Sequence, residues 1–245
     1  MLLATHGFNV SREDGIDALS RWESLLTLPP SVLYVGVLWP GDSAFIPVID
    51  YPFEGSEAIQ AGRLLARFLN QQGGAAASFS FVSHSLGARM VLEAIGNLGF
   101  KARRVTLMAG AIEDDCLFDE YQGAASNCQQ IWTLASRKDW VLEFAFPIGN
   151  PLGGIVTRGH PYFKTALGRN GPAQPIPVDK RGGAWQIPDG WNFGHGDYLP
   201  RDANGDALKP SQVEPLPPAS DASPIAAPPP WKPSWSAAAV STQEL

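Results

Sequence analysis

The chain has 245 residues, which suits one large domain or two small ones. Hydrophobic residues make up 44% and charged residues 17%, a balance that excludes a highly charged, disordered chain and allows a sizeable core. A net charge of -6 argues against nucleic acid or an anionic membrane as the main partner.

The first predicted elements are a strand and a helix. Leu2–Thr5 is typical of a buried strand, and it ends at His6–Gly7. Ser11 then opens a helix as its N-cap, with Asp14 as the capping-box partner. The face of this helix that is predicted to be buried carries Ile16, Leu19, Trp22 and Leu26.

A second strand and helix follow, and then a third strand. Val32–Trp39 is rich in strand-forming residues and stops at Pro40–Gly41. Ser56 is the predicted cap of the next helix, which Gln71–Gly74 ends. Ser78–Val82 is the third predicted strand. The predicted apolar face of the second helix consists of Ala61, Leu64, Leu65 and Phe68.

The third helix and the later strands complete an alternating pattern. Val105–Met108 and Ile131–Ala135 are predicted strands, and Ile176–Val178 is the only clear strand pattern later in the chain. The third helix ends before Gly99, and its apolar face consists of Val91, Ala94, Ile95 and Leu98. Strands separated by helices predict an α/β fold, with a mostly parallel central sheet and helices on both faces. Active sites of such sheets form at the carboxyl ends of the strands.

One serine lies where the third strand turns into the third helix. Ser83–Gly87 is a Gly-x-Ser-x-Gly elbow in which Ser83 replaces the first glycine. Such a turn lifts the hydroxyl of Ser85 above the sheet, and the small residues around it allow the helix to pass close to neighbouring strands. Ser85 is therefore the candidate nucleophile.

A serine hydroxyl needs a base, and the base needs an acid that orients it. Asp139 follows the strand Ile131–Ala135, at the sheet edge where the acid is expected. The run Glu113–Asp115 after the preceding strand is its rival, and we favour Asp139.

Four histidines compete for the role of base. His6 precedes the serine in the wrong order, and His84 is expected to point to the other side of the elbow. The choice lies between His160 and His195, and we favour His195 because it sits late, in a glycine-flanked loop that can fold over the site.

An oxyanion hole requires two backbone N–H groups. Leu86, directly after the candidate nucleophile and at a helix amino terminus, supplies the first. The loop after the first strand is expected to supply the second from Phe8, since Gly7 allows the backbone to bend toward Ser85.

These motifs resemble those of the α/β-hydrolase superfamily, in particular a poorly characterised bacterial branch. The shared segments are His6–Asn9, Trp39–Gly41, Ser83–Gly87 and His195–Tyr198, so the resemblance covers roughly residues 2–200. It implies a serine hydrolase that needs no cofactor and acts on esters or related acyl compounds.

Two departures from the superfamily concern the sheet and the pocket. The chain starts at the strand that bears the oxyanion loop, so the two strands that usually precede it are expected to be missing. No insertion is large enough for an independent cap domain. The pocket is expected to be open or covered only by loops that bear Phe144, Phe146, Tyr162 and Phe163.

Composition changes sharply near residue 200. Residues 206–245 contain nine of the 22 prolines, which predicts a flexible tail after a catalytic domain at residues 1–205. Trp231 and Trp235 in this tail are either solvated or dock on the body or a partner, and we favour the first.

Cellular location and cysteine usage follow from simple counts. No apolar run approaches the roughly 18 residues of a membrane span, and the amino terminus lacks a basic leader, so the sequence predicts a cytoplasmic protein. Cys116 and Cys128 are expected to be unpaired thiols rather than a disulfide.

The sequence thus favours a carboxylic-ester hydrolase that acts on a small-molecule acyl ester. Acyl transfer and thioester or amide cleavage use the same machinery and stay open. A non-catalytic binding protein on a hydrolase scaffold is the alternative from another class.

Overall fold

A computed structural model describes residues 1–8, 10–26, 28–40, 51–149, 165–176 and 181–198. Its centre is a six-stranded parallel sheet with the strand order β2-β1-β3-β4-β5-β6. The strands are β1 (Leu2–Thr5), β2 (Tyr34–Val37), β3 (Ser80–His84), β4 (Ala102–Met108), β5 (Cys128–Ser136) and β6 (Arg181–Ile187). The predicted α/β class is confirmed. The predicted boundary at residue 205 and the tail with Trp231 and Trp235 lie outside the described residues.

Helices alternate with these strands along the chain. They are α1 (Arg12–Leu25), α2 (Tyr51–Gln72), α3 (Gly87–Gly96), α4 (Gln122–Ser126), α5 (Trp140–Gly149) and the single turn α6 (Leu167–Asn170). Two short 3₁₀ turns add Gly73–Ala75 and Asp189–Trp191. The described ranges contain no separate cap domain.

A hydrophobic core lies on each face of the sheet. Successive side chains of a strand point to opposite faces, so Leu2 and Ala4 belong to one core and Leu3 to the other. Helices α1 and α5 contribute to the first core, helix α4 contributes to the second, and helices α2 and α3 contribute to both. Burial on both faces explains the nearly continuous apolar runs of the strands.

Helix α1 begins where the sequence predicts, but its buried face is rotated. The Ser11 hydroxyl accepts a hydrogen bond from the Asp14 N–H at 3.1 Å, which confirms the N-cap. Leu19 and Trp22 are buried, whereas Ile16 is 40% exposed, so its predicted burial is wrong. The helix instead packs through Gly15, where a Cβ would lie 2.8 Å from the Leu38 side chain.

Helix α2 departs further from its prediction. It begins at Tyr51, so Ser56 lies inside the helix rather than at its cap. Leu64 and Phe68, predicted to be buried, are 62% and 60% exposed. The reason is close packing on α3 through Gly62, where a Cβ would lie 2.5 Å from a backbone oxygen of that helix. The buried face consists of Ala58, Ala66 and Leu69.

The last strand is β6, not the predicted Ile176–Val178. Ile176 lies outside any strand, and residues 177–180 are not described. Gly182 of β6 sits against β5, where a Cβ would lie 1.9 Å from the carbonyl oxygen of Ile131. Glycine permits this close approach. Because glycine is rare in strands, residue preferences for strands do not predict β6.

Cys116 and Cys128 are not joined in a disulfide, as predicted, and both are buried. Burial, and after it the Glu113 carboxylate, raises the pKa of the Cys116 thiol, which keeps this cysteine protonated. Of the helices in the described ranges, none combines the length and the hydropathy of a membrane span.

Candidate active site

Ser85 occupies a sharp turn between β3 and α3. Its φ of 55° lies in the left-handed region, which costs a non-glycine residue roughly 1–3 kcal/mol. Three hydrogen bonds hold the strained backbone. The Ser85 N–H donates to the Met108 carbonyl at 3.0 Å, and the Ser85 carbonyl accepts from the Ala88 N–H at 3.1 Å and the Ala111 N–H at 3.2 Å. The predicted elbow is therefore present, and only 7% of Ser85 is exposed.

Two glycines allow the elbow to approach β1. A Cβ at Gly87 would lie 2.5 Å from the carbonyl oxygen of His6, and a Cβ at Gly7 would lie 2.8 Å from Cβ of Ser85. Ser83, which stands where the motif usually has glycine, is fully buried. Its Oγ has no hydrogen-bond partner within the described part of the chain, so the serine fits sterically without a polar role.

His195 lies between the serine and an acid. Its Nε2 is 2.9 Å from Oγ of Ser85, and its Nδ1 is 2.7 Å from Oδ2 of Asp139. A carboxylate only accepts, so Nδ1 carries the proton and Nε2 is free to accept the serine hydroxyl proton. The structure thus brings together the three side chains that the sequence predicts, across 110 residues between Ser85 and His195.

Asp139 is fully buried directly before α5. Its second oxygen, Oδ1, accepts the N–H of Leu142 in the first turn of the helix at 3.0 Å. The backbone N–H of Asp139 donates to the Ser136 carbonyl at 3.1 Å. Both carboxylate oxygens are engaged, and this fixes the oxygen that faces His195.

The loop that carries His195 is anchored on either side of it. The Ser136 hydroxyl donates to the Phe193 carbonyl at 2.6 Å before the histidine. The Asp197 carboxylate accepts the Gly194 N–H at 2.7 Å across the turn. Tyr198 is fully buried, and burial, followed by the Asp139 and Asp197 carboxylates, raises the pKa of its hydroxyl well above the usual value.

His84 lies next to the candidate base, although the sequence predicts that it points away from Ser85. Its ring lies 4.8 Å from the ring of His195, so the expectation that it points to the other side of the elbow is wrong. Its Nε2 is 2.8 Å from the backbone carbonyl oxygen of His195. The histidine next to the serine in the motif is the only sequence signal for this contact.

His6 orients the loop that is predicted to hold the second oxyanion donor. Its Nδ1 donates to the Gly7 carbonyl at 2.8 Å, and its Nε2 accepts the Trp39 N–H at 3.4 Å. The Trp39 indole N–H in turn donates to the His6 carbonyl at 3.0 Å. Because the Gly7 carbonyl and the Phe8 N–H belong to one planar trans peptide unit, fixing the first also fixes the second.

The two predicted oxyanion donors have no competing acceptor. Among the described residues, neither the Phe8 N–H nor the Leu86 N–H donates a hydrogen bond. Leu86 also sits at the amino terminus of α3, where the helix dipole adds positive potential.

The rival residues lie in other environments. Glu113 pairs with Arg89 at 2.9 Å, and Asp114 accepts a short hydrogen bond from the Thr165 hydroxyl. Each carboxylate is therefore held by a partner other than Ser85 or His195. His160 lies outside the described residues.

The surface beside the acid is aromatic. Trp140 and Phe144 stand on one face of α5, 65% and 62% exposed. The side chain of Phe146, and residues Tyr162 and Phe163, fall outside the part of the chain that is described. No cluster of three or more metal-ligating side chains occurs in the described ranges.

A family model described as "Alpha/beta hydrolase of unknown function (DUF900)" matches residues 1–184. The match spans Ser85 and Asp139 and ends before His195. No curated protein sequence gives a significant match.

Two solved structures are similar to the chain. Phospholipase PlaB from Legionella pneumophila, in complex with thio-NAD, is 14% identical with a TM-score of 0.33, over 56% of this chain and 37% of that one. Esterase B from Lactobacillus rhamnosis (HN001) is 11% identical with a TM-score of 0.39, over 80% of this chain and 67% of that one. The chain therefore spans well under half of the phospholipase.

Proposed function

The chain belongs to the DUF900 family of α/β hydrolases, and we propose that it is a serine hydrolase that cleaves carboxylic esters through an acyl-enzyme intermediate. The observation that carries this proposal is the pair of hydrogen bonds that joins Ser85 to His195 and His195 to Asp139. A buried carboxylate, an imidazole and a hydroxyl in this order are the elements of serine hydrolysis.

In the first half of the reaction, Ser85 is acylated. Its Oγ attacks the ester carbonyl carbon while Nε2 of His195 takes the hydroxyl proton. The new C–O bond gives a tetrahedral intermediate, and His195 then returns the proton to the departing alkoxide as the ester C–O bond breaks. Asp139 stabilises the imidazolium that forms between the two proton transfers.

In the second half, water releases the acyl group. His195 takes a proton from water as its oxygen attacks the acyl carbon, and the proton passes to Oγ of Ser85 as that C–O bond breaks. The products are a carboxylic acid and an alcohol, and the serine is regenerated. No step requires a cofactor.

Phe8 and Leu86 are the proposed oxyanion donors in both halves. The support for this assignment is that their N–H groups have no acceptor among the described residues, while Gly7 and the elbow lie in contact. Loss of one such donor typically lowers kcat by about 100-fold or more.

The substrate that we propose is a small ester with an apolar acyl chain. Trp140 and Phe144 support this choice, because they expose aromatic surface on the helix that Asp139 precedes. Burial of apolar acyl surface against them is favourable by roughly 25 cal/mol per Å².

A fluorophosphonate probe tests the proposal directly. We expect the probe to label the wild-type chain and p-nitrophenyl esters to be hydrolysed, and both signals to disappear in Ser85→Ala. Ser83→Ala is the matched control, since Ser83 lies in the same motif with a buried hydroxyl, and it should keep both signals. A folded wild type that is neither labelled nor active would reject the proposal.

A further inference from the structure

The imidazole of His84 makes a hydrogen bond that takes no direct part in the proposed reaction of Ser85. Its Nε2 lies 2.8 Å from the backbone carbonyl oxygen of His195. A carbonyl oxygen only accepts, so Nε2 of His84 carries the proton and donates it. The residue directly before the proposed nucleophile thus binds the main chain of the proposed base.

The loop around His195 has a backbone that such a hydrogen bond can hold in place. Glycines stand on both sides of the histidine, at positions 194 and 196, and glycine gives the backbone unusual freedom. The other anchors act beside it: Phe193 is held through Ser136, and Tyr198 is buried. Among the described residues, the hydrogen bond from His84 is the one that reaches the backbone of His195 itself.

His84 is well placed to be a rigid donor. It is the last residue of β3, and it pairs in register with Met108 of β4. Its ring lies 4.8 Å from that of His195 and 5.8 Å from that of Tyr198. On another side, a Cβ at Gly7 would lie 3.3 Å from Nδ1 of His84, so the partly buried imidazole also packs against the loop after β1.

From these contacts we infer that His84 is a positioning residue, which sets the distance between the nucleophile and the base by holding the His195 backbone to the elbow. This inference rests on the proposed function. Nε2 of His84 is engaged with the carbonyl, so it does not serve as a second base. Because it holds geometry and binds no substrate, its loss lowers kcat and leaves KM nearly unchanged.

Three substitutions separate the hydrogen bond from simple bulk. His84→Gln keeps an N–H donor with nearly the reach of Nε2, His84→Asn keeps a donor that is too short, and His84→Met keeps volume without a donor. We expect the Asn and Met variants to lose about 10- to 100-fold in kcat on p-nitrophenyl butyrate, and the Gln variant to retain most of it. Thermal unfolding of each variant, followed by circular dichroism, checks that the chains are folded.

Two outcomes would overturn the inference: a wild-type kcat in the folded Met and Asn variants, or an equal loss in all three. A second measurement is independent of turnover. The far-downfield proton resonance of Nδ1–H in His195 should persist in His84→Gln and weaken in His84→Met. If the wild type is inactive, the proposed function fails, but the resonance still tests whether His84 holds the His195 loop. An unchanged resonance in His84→Met would reject that positioning role.

Discussion

At the scale of single residues, Asp139 fixes the state of the imidazole. Its Oδ2 can only accept from Nδ1 of His195, so it selects the tautomer whose Nε2 is open to the serine. We expect Asp139→Asn to reverse this preference, because an amide N–H facing Nδ1 leaves the proton on Nε2. The expected result is a fall in kcat of about 10⁴-fold, measured on a p-nitrophenyl ester.

Asp114→Asn is the control for this substitution. Asp114 belongs to the rival acidic run, and its carboxylate accepts a hydrogen bond from Thr165 instead of contacting His195. Its kcat should stay close to that of the wild type. A loss in Asp114→Asn as large as that in Asp139→Asn would show that the acid has been assigned to the wrong strand end.

Gly87 carries a second prediction at this scale. A Cβ there would lie 2.5 Å from the backbone oxygen of His6, and a backbone atom cannot swing away as a side chain does. We expect Gly87→Ala to lower the free energy of unfolding by about 1–3 kcal/mol, as overpacking does. It should also lower kcat, because the elbow would move away from the loop that carries the proposed oxyanion donor Phe8. Urea unfolding and ester turnover measure the two effects.

Gly96 offers a matched comparison in the same helix. The nearest atom to a Cβ at Gly96 would lie 3.8 Å away, which is ordinary contact. Gly96→Ala should therefore be neutral or should stabilise the protein by about 0.5–1 kcal/mol, through the helix preference of alanine. Equal effects of the two substitutions would contradict the steric argument.

At the scale of elements, helices α2 and α5 each expose a pair of large apolar side chains, and only α5 begins next to Asp139. Trp140 and Phe144 on α5 stand next to the acid, whereas Leu64 and Phe68 are similarly exposed on α2. If the α5 face binds the acyl chain, kcat/KM for p-nitrophenyl esters should rise from acetate to octanoate, and the double change Trp140→Ser, Phe144→Ser should flatten that rise.

The double change Leu64→Ser, Phe68→Ser is the control, because it removes a comparable exposed pair from another helix. It should leave the dependence on acyl length as it is in the wild type. A flat dependence in the wild type, or equal flattening by both double changes, would remove the support for an apolar acyl chain.

The same faces show what sequence patterning can and cannot predict. The hydrophobic spacing predicts helices α1 and α2, but it places Ile16, Leu64 and Phe68 on their buried faces, whereas these side chains are exposed. In both helices a glycine packs closely on a neighbouring element, at Gly15 and Gly62, and glycine carries no hydrophobic signal. Strand β6 is missed for a related reason, since Gly182 is needed for its approach to β5 and weakens its strand pattern.

The sequence predicts the residues of the candidate site better than it predicts the buried faces of α1 and α2. Ser85 and Asp139 follow from small-residue spacing and from their positions at strand ends, and His195 follows from chain order. His84 is missed because the turn of the elbow decides where its ring points. The acceptor of its hydrogen bond lies 111 residues later in the chain, and the motif alone does not show where that loop folds.

At the scale of the whole molecule, the site depends on the complete sheet. The loop after β1, the elbow after β3, the acid after β5 and the histidine after β6 meet at the carboxyl ends of the strands. The hydrogen-bonded pairs span 56 and 110 residues of sequence. Because no local segment holds two of the three proposed triad residues, we expect the site to be lost only when the whole sheet unfolds.

The predicted tail gives the last test at this scale. All residues of the proposed mechanism precede residue 199, and residues 206–245 carry nine prolines without an apolar period. A segment of this composition does not build a packed core alone. We therefore expect a chain shortened to residues 1–205 to keep ester turnover within about twofold of the full chain, since it loses no proposed catalytic group.

A chain shortened to residues 1–188 is the control, since it lacks His195 and the buried Tyr198 and should be inactive. Turnover and thermal unfolding of both chains separate the remaining outcomes. A large loss of turnover in the 1–205 chain with unchanged unfolding would mean that the tail contacts the substrate. A loss with a lower unfolding temperature would mean that Trp231 and Trp235 pack on the body, because buried tryptophans contribute several kcal/mol to stability.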